Sequence, residues 1–340
     1  MHASIFSKIF PGLMVTFIIA VISTFLTQWI PNEVVGASVI ALFTGILCHS
    51  VYKSHSSSLQ PGVQFASKRL LRTAIIFLGA SLNMMTILNV GQLSLMVMCF
   101  TLLTCFGGGY VIGKHLGLNW KLSSLLNAGT GICGGSAIAA IAPVIDAEDS
   151  DIAYAISATF IFDILMIVLF PIMGHALNLS DIAYGLWTGT AVNDTSSVVA
   201  AGYAYSEAAG DFATMVKLTR TLVIIPTVMV FAWIHYRQQK TLHQATHRKH
   251  ISITHIFPWF ILGFLTLALL NSYHLIPQDI GLVVKKLSKF LMVMALAGIG
   301  LKTDLKSMKQ SGWTPMLHGF IISALVVIVS LAVEYMMRIV

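Results

Sequence analysis

The chain has 340 residues, of which 56% are hydrophobic and 10% are charged. Soluble domains are about 25% charged, because charged side chains cover the surface that faces water. So small a charged fraction excludes a soluble enzyme, a disordered chain and a nucleic-acid-binding domain. It predicts a polytopic membrane protein.

The apolar segments predict an all-α fold, because lipid offers backbone groups no partner outside a helix. Crossing about 30 Å of hydrocarbon takes about 20 apolar residues. The connections between such segments are short, so we predict one integral membrane unit over residues 1–340 without a soluble domain. We predict about eleven spans, at residues 9–30, 34–51, 72–90, 93–113, 122–145, 152–173, 182–205, 212–235, 256–273, 288–303 and 313–336.

The charged loops indicate how these spans are oriented. Most of the 20 basic residues fall in loops that would share one side of the membrane with the N-terminus. The acidic residues concentrate in the alternate loops. Because basic loops stay cytoplasmic, the pattern predicts a cytoplasmic N-terminus and a C-terminus outside.

Two internal matches suggest repeats. The segment from Ser67 resembles the segment from Ser288, and the predicted topology runs these two spans in opposite directions, as in an inverted-repeat transporter. A second match, 60 residues apart, links Gly129-Thr130 with Gly189-Thr190 in spans that run parallel. One duplication therefore does not explain both matches.

The fifth and seventh spans are unusually polar and rich in glycine. Each glycine weakens a helix by about 1 kcal/mol, and a broken helix exposes N–H and C=O groups that bind ions. Tight packing through small residues is the alternative. We predict breaks because polar residues accompany the glycines: Thr130 and Ser136 beside Gly129, Gly131, Gly134 and Gly135, and Asn193, Asp194 and Ser196 after Gly189.

The eighth span carries two basic residues at membrane depth. Lys217 and Arg220 are three residues apart, so they share one helical face. Such cations need counter-charge, and both Asp194 and a bound anion could supply it. An arginine side chain suits carboxylate, sulfate or phosphate oxygens. A structural Asp194–Arg220 pair without a substrate is the alternative.

Other titratable residues give weaker signals. Asp163, in the sixth span, is either structural or linked to proton binding. His243, His247 and His250 are typical of a solvated basic loop near anionic lipid rather than of a metal site. We therefore expect neither a metal ion nor a cofactor.

Several motifs resemble one family. GTGICGGSAI from Gly129, VNDTSSVVAAG from Val192 and KLTR from Lys217 resemble the YeiH-type membrane proteins, for which sulfate export has been suggested. PWFILGFLTLALLNSYHLIPQ from Pro258 and KFLMVMALAGIGLKT from Lys289 extend the resemblance over most of the chain.

That family is grouped with the cation/proton antiporters and bile-acid symporters. The resemblance implies a panel and a core, inverted repeats, crossed broken helices and a bacterial plasma (inner) membrane. One departure stands at Asn193-Asp194, where family members often carry histidine before the acidic residue. Its absence weakens any proposal of histidine-based proton coupling at this position.

We predict a secondary active transporter of a small anion such as sulfate or a sulfonate, not an enzyme. Lys217 and Arg220 would supply positive charge, and the hydroxyls and broken-helix ends would supply hydrogen bonds. Asp194, or Asp163, would exchange a proton or sodium ion. Replacing Arg220 by alanine should then abolish uptake without unfolding the protein.

Two alternatives remain at this point. An anion channel would conduct without a driving ion. An intramembrane enzyme would need Asp163 and Asp194 to share a proton, and no flanking motif supports that pairing. The expected partners are the anion, the coupling ion, membrane lipid and a second copy in a homo-oligomer, with no nucleic acid.

Overall fold

The computed structural model describes residues 2–27, 37–241, 259–303 and 313–340. These ranges are helical, without a strand, so the all-α prediction is confirmed for them. The predicted loop histidines at 243, 247 and 250 lie outside the described residues. The α-helices are α1 His2–Thr27, α2 Ala37–Leu47, α3 His49–Ser54, α4 Ser56–Phe65, α5 Leu71–Leu78, α6 Met84–Leu103, α7 Gly109–His115, α8 Trp120–Ala128, α9 Gly135–Ile141, α10 Asp149–Ala176, α11 Asp181–Ala191, α12 Thr195–Tyr205, α13 Glu207–Thr221, α14 Ile224–Thr241, α15 Trp259–Ser272, α16 Gln278–Lys302 and α17 Trp313–Met336.

Short irregular turns join some of these helices into longer rods. π-helical turns cover Ala66–Leu70, Thr104–Gly108 and Gly129–Cys133, and a 3-10 turn covers Gly79–Ser81. Within the described ranges, five helical runs are long and apolar enough to cross a membrane, and the count of eleven spans stays a prediction. The five runs are Lys8–Thr27, Met84–His115, Ser150–Ala176, Glu207–Arg237 and Trp313–Met336.

The chain divides into two compact units, each assembled from three separate segments. Unit 1 comprises Met1–Val90, Val199–Asp211 and Trp259–Leu305. Unit 2 comprises Gly91–Val198, Phe212–Pro258 and Lys306–Val340. The assignment of a panel and a core within one membrane unit stays a prediction.

Unit 1 packs its helices through glycine. A methyl group on Gly62 of α4 would lie 2.7 Å from the Cα of Gly12 on α1. A methyl group on Gly300 of α16 would lie 3.0 Å from the Cα of Gly45 on α2. Backbones this close leave no room for a side chain, as is common where small residues join membrane helices.

The boundary between the third and fourth predicted spans is wrong. We expected it near residue 91, but the helical run breaks at Leu82–Asn83. The start of α6 is capped there, since Met84 N donates to Ser272 Oγ at 2.6 Å and Met85 N donates to Asn83 Oδ1 at 2.8 Å. The third helical run also begins earlier than predicted, at Ser56.

Unit 2 has an aliphatic core around the fifth predicted span. Ile132, Cys133 and Ile138 are fully buried there, within a cluster that includes residues of α8, α10 and α14. On another side, Trp187 of α11 donates through Nε1 to the Val327 carbonyl of α17 at 3.0 Å. These contacts fix the segments that carry the site described next.

Candidate functional site

The fifth predicted span is broken at Gly134. The π turn Gly129–Cys133 continues α8 and closes with a 2.8 Å hydrogen bond from Gly134 N to the Gly129 carbonyl. Gly134 then adopts φ 64° and ψ −134°, a conformation that side chains disfavour, and α9 begins at Gly135. Gly131 lies inside the turn, where a methyl group would be 3.0 Å from Cys105 Cβ.

The seventh predicted span is broken at Val192–Asp194, between α11 and α12. Asp194 caps α12, since its Oδ2 accepts from Ser196 N at 2.9 Å and from Ser196 Oγ. Gly189, which we expected at the break, lies inside α11. A methyl group there would lie 2.6 Å from Val216 Cβ, so this glycine allows α11 to approach α13 closely.

The two breaks touch each other. A methyl group on Gly134 would lie 3.0 Å from both Cβ and Oδ1 of Asp194. Asp163 of α10 reaches the second break, where its Oδ1 accepts from Asn193 N at 3.2 Å and Asp194 N at 3.3 Å. Asp163, for which no sequence motif supported a partner, therefore lies at the same site as Asp194.

Arg220 forms hydrogen bonds to both broken segments. Its side chain is fully buried. Nε donates to the Gly131 carbonyl at 2.7 Å, and Nη2 donates to the Thr130 carbonyl at 2.6 Å. Nη1 donates to the Thr190 carbonyl at 2.5 Å. One guanidinium thus binds the end of the first half-helix of each broken span.

Lys217 acts in the same way one turn earlier on α13. It is fully buried, and Nζ donates to the Val192 carbonyl at 2.9 Å. The ends of broken helices expose carbonyls that have lost their amide partners and carry partial negative charge. The two cations therefore lie where the helix dipoles favour them.

Asp194 forms no direct ion pair with either cation among the described residues, so its role as a counter-charge stays a prediction. In the part of the chain that the structure describes, the hydrogen-bonding partners of Lys217 and Arg220 are backbone carbonyls. Asp194 instead bonds to the first turn of α12. The carbonyls bind the two cations because a buried backbone oxygen without a hydrogen-bond partner costs about 1–3 kcal/mol.

The predicted polar residues differ in whether their polar atoms already have hydrogen-bond partners. Ser136 Oγ donates to the Cys133 carbonyl at 2.9 Å and contacts Cys133 Sγ at 3.0 Å. Thr130 is buried, and its carbonyl is bound by Arg220. Asn193 is buried, yet neither its amide oxygen nor its amide nitrogen has a partner among the described residues.

The carbonyls of Gly131, Thr190 and Val192 are site groups that residue types did not single out. For these carbonyls, sequence reasoning offers only the general rule that a broken helix exposes carbonyl groups at its end. Which carbonyls would meet which cation depends on packing between spans that are distant in sequence.

The helical fold, the apolar runs and the paired breaks define a polytopic membrane protein. The family model described as "Conserved hypothetical protein 698" matches residues 11–319. The chain is 54% identical to a UPF0324 membrane protein of Clostridium tetani over 331 residues, 95% of this chain and 96% of the relative. It is 38% identical to the UPF0324 membrane protein SAG1125 of Streptococcus agalactiae over 341 residues, 97% and 98% of the two chains.

The chain therefore belongs to the UPF0324 family of membrane proteins, the YeiH-type group that its motifs resemble. A UPF0324 membrane protein of Streptococcus pneumoniae is similar to the same degree, at 38% identity over 97% of this chain. The predicted family and the membrane location are thus confirmed. The inner membrane and the orientation of the termini stay predictions.

Proposed function

We propose that this protein is a secondary active transporter of a small anion such as sulfate or a sulfonate. The observation that carries the proposal is the contact between two helix breaks, with Asp163, Lys217 and Arg220 buried around it. Broken backbone at membrane depth needs a protein or watered lining, and such breaks are where transporters bind their substrates.

The charges of the site suggest why anion movement would be coupled. Two cations and two carboxylates balance when all four are ionised. A bound anion adds negative charge to a buried site, and that charge is costly unless it is compensated. A proton or sodium ion at a carboxylate would compensate it, which favours coupled transport over free conduction.

Asn193 is the group best placed to recognise the anion in this proposal. Among the described residues, its buried amide has donors and an acceptor without partners at the second break. The first turn of α12 begins two residues later, and the start of a helix favours negative charge. Lys217 and Arg220 add positive charge while they hold the carbonyl ends in place.

Asp194 is the proposed coupling residue. It is half-buried, whereas Asp163 is only 1% exposed. A group that exchanges a proton or sodium ion must reach water during the cycle, and Asp194 already does so in this state. Asp163 instead holds the second break through two backbone N–H groups.

The proposal is tested first by binding and then by flux. Purified protein is screened by thermal shift against sulfate, methanesulfonate, bicarbonate and acetate at pH 5.5 and pH 8, with and without sodium. We expect one anion class to raise the unfolding temperature, with a dependence on pH or sodium. That anion should accumulate in proteoliposomes when the matching gradient is imposed.

Other outcomes would overturn the proposal. Current that persists without a proton or sodium gradient would indicate the anion channel. Neither stabilisation nor flux with any of the four anions would remove the anion assignment. Chemical turnover of a lipid or peptide that depends on both Asp163 and Asp194 would indicate an enzyme.

Asp194→Asn is expected to abolish gradient-driven accumulation while anion exchange at equilibrium continues. Asparagine caps helices as well as aspartate does, so the start of α12 should survive. Asp163→Asn is the matched control, because its amide oxygen can still accept from the two backbone N–H groups. It should retain a pH- or sodium-dependent flux; loss of coupling in this variant alone would move the coupling role to Asp163.

A further inference from the structure

The fifth predicted span begins and ends at one face of unit 2. Lys121, at the start of α8, donates through Nζ to the Asp146 carbonyl at 2.6 Å. Asn119, just before α8, donates to Asp151 Oδ2 of α10 at 3.1 Å. A segment that crossed the membrane would hold its two ends about 30 Å apart. The contacts therefore indicate a segment that turns back; the face that holds these four residues is the near face, and the other is the far face.

A contact inside this segment indicates the same return. A methyl group on Gly129, before the break at Gly134, would lie 2.9 Å from Cδ1 of Ile138, beyond the break. In a continuous helix, residues nine positions apart are separated by about 14 Å. α9 has seven residues. A helix of that length reaches about 10 Å, which is less than half of the apolar layer.

α10 and the helical run Glu207–Arg237 have opposite directions. Each is long enough to cross the membrane. α10 starts at the near face, where Asp151 bonds to Asn119. The run Glu207–Arg237 ends at the near face, because His235 Nε2 lies 3.1 Å from Asp146 Oδ2. α10 therefore leads to the far face, and the run Glu207–Arg237 comes from it.

Contacts with α6 support this direction for α13 and α14. α6 and α7 run toward the near face, since α7 ends just before α8. A methyl group on Gly91 would lie 3.8 Å from Thr219 Oγ1, and the rings of Phe106 and Phe231 have centroids 5.9 Å apart. Because the order of these contacts is the same along both chains, the runs are parallel. The start of α13 therefore lies toward the far face.

The second broken segment accordingly begins and ends at the far face. It connects the end of α10 at Ala176 with the start of α13 at Glu207. α11 leads inward, since Trp187 packs on Phe170 and the break that follows reaches Asp163, earlier in α10. α12 then leads back, because it ends just before Glu207.

The sequence carries no signal against this arrangement. Between Lys121 and Lys217 it has no lysine or arginine. The positive-inside rule depends on those residues, and acidic residues contribute little to it. Two returning segments in place of the fifth and seventh predicted spans leave every basic loop and both termini on their predicted sides.

We propose that the two broken segments are re-entrant hairpins, which enter the membrane from opposite faces and meet at their tips, and that the transported anion binds between these tips. The tips are Gly134 and Val192–Asp194, which touch where a methyl group on Gly134 would lie 3.0 Å from Asp194 Cβ. Irregular backbone at this depth is tolerated because protein surrounds it. The hairpins stand on the contacts alone, whereas the place of the anion rests on the proposed function.

The tips offer both space and an unpartnered polar group. A methyl group on Gly135 would meet nothing within 4 Å. Asn193 is 1% exposed, and its amide has no partner among the described residues. A ligand at the tips could therefore be seated without displacing a hydrogen bond of the Asn193 side chain.

Cysteine labelling tests the hairpins. Single cysteines replace exposed residues in the connections around the two segments, in the variants His115→Cys, Glu148→Cys, Ala176→Cys and Ala208→Cys. A membrane-impermeant maleimide is applied to cells before and after permeabilisation. Mass spectrometry identifies the labelled peptide, so the native cysteines do not interfere. We expect positions 115 and 148 on one side of the membrane and positions 176 and 208 on the other.

Spans that all cross would give a different pattern, with 115 and 148 on opposite sides and 176 and 208 on opposite sides. Opposite sides for 115 and 148 would overturn the first hairpin. Opposite sides for 176 and 208 would overturn the second. Both comparisons hold whichever side is cytoplasmic, and neither depends on transport.

Protection of a thiol at the tip tests the place of the anion. Purified Gly135→Cys is labelled with a small thiol reagent in the presence of sulfate or methanesulfonate. One of them should slow labelling about tenfold at about ten times its Kd. Glu148→Cys is the control and should label at an unchanged rate. If neither anion protects Gly135→Cys, the anion does not bind at the tips and the hairpins stand; protection with the alternating labelling pattern would overturn the hairpins and leave the site.

Discussion

Replacing Arg220 by alanine should lower the free energy of unfolding by about 3 kcal/mol or more. The change leaves three buried carbonyls, at Thr130, Gly131 and Thr190, without their donors. Each such group costs about 1–3 kcal/mol. The expected fall in the unfolding temperature is roughly 4 °C or more, measured on purified protein in one detergent.

This expectation replaces the one drawn from sequence, in which Arg220→Ala left the protein folded. Arg220→Lys separates charge from geometry, because it keeps the charge but cannot span three carbonyls on two segments. We expect it to be intermediate in stability. Arg69→Ala is the control, since Arg69 is exposed. A stable Arg220→Ala protein that lacks anion binding would instead show that Arg220 contributes charge alone.

Gly134→Ala should destabilise the first break and its contact with the second break. Alanine at φ 64° and ψ −134° is strained by about 1–3 kcal/mol. Its methyl group would also meet Asp194 at 3.0 Å, so the contact between the two breaks would have to open. We expect a loss of stability together with loss of anion binding.

The next residue provides a matched control. A methyl group on Gly135 would meet nothing within 4 Å, and Gly135 is already in α9. Gly135→Ala should therefore match the wild type in unfolding temperature and anion binding. Equal damage from both substitutions would contradict the role given to the conformation of Gly134, and would point to a general intolerance of this turn.

Much of the site could be predicted from residue types. Charged residues are so costly in apolar spans that Asp163, Asp194, Lys217 and Arg220 stood out in a chain that is 10% charged. Glycine next to polar residues placed both breaks within a few residues of where they occur. The break at Gly134 was inside the predicted cluster, and that at Val192–Asp194 followed Gly189 closely.

The partners of these residues could not be predicted. Opposite charge suggested Asp194 for Arg220, but backbone carbonyls have no signature in the sequence. The role of Gly189 could not be predicted either. A glycine that breaks a helix and a glycine that allows close packing, as Gly189 does against Val216, cannot be told apart from sequence. Likewise, the predicted boundary near residue 91 lies inside α6, whereas the real break at Leu82–Asn83 is fixed by a cap from Ser272, far along the chain.

Because both cations bind main-chain oxygens, the contacts that hold the site together do not depend on the side chains that would select a substrate. The groups that hold Lys217 and Arg220 belong to the backbone, so the side chains at Thr190 and Val192 could change without removing a single acceptor. A protein built in this way could alter the shape and polarity of its site while the electrostatic framework stays in place. Within one fold, different substrates could then be accommodated by side-chain replacement alone.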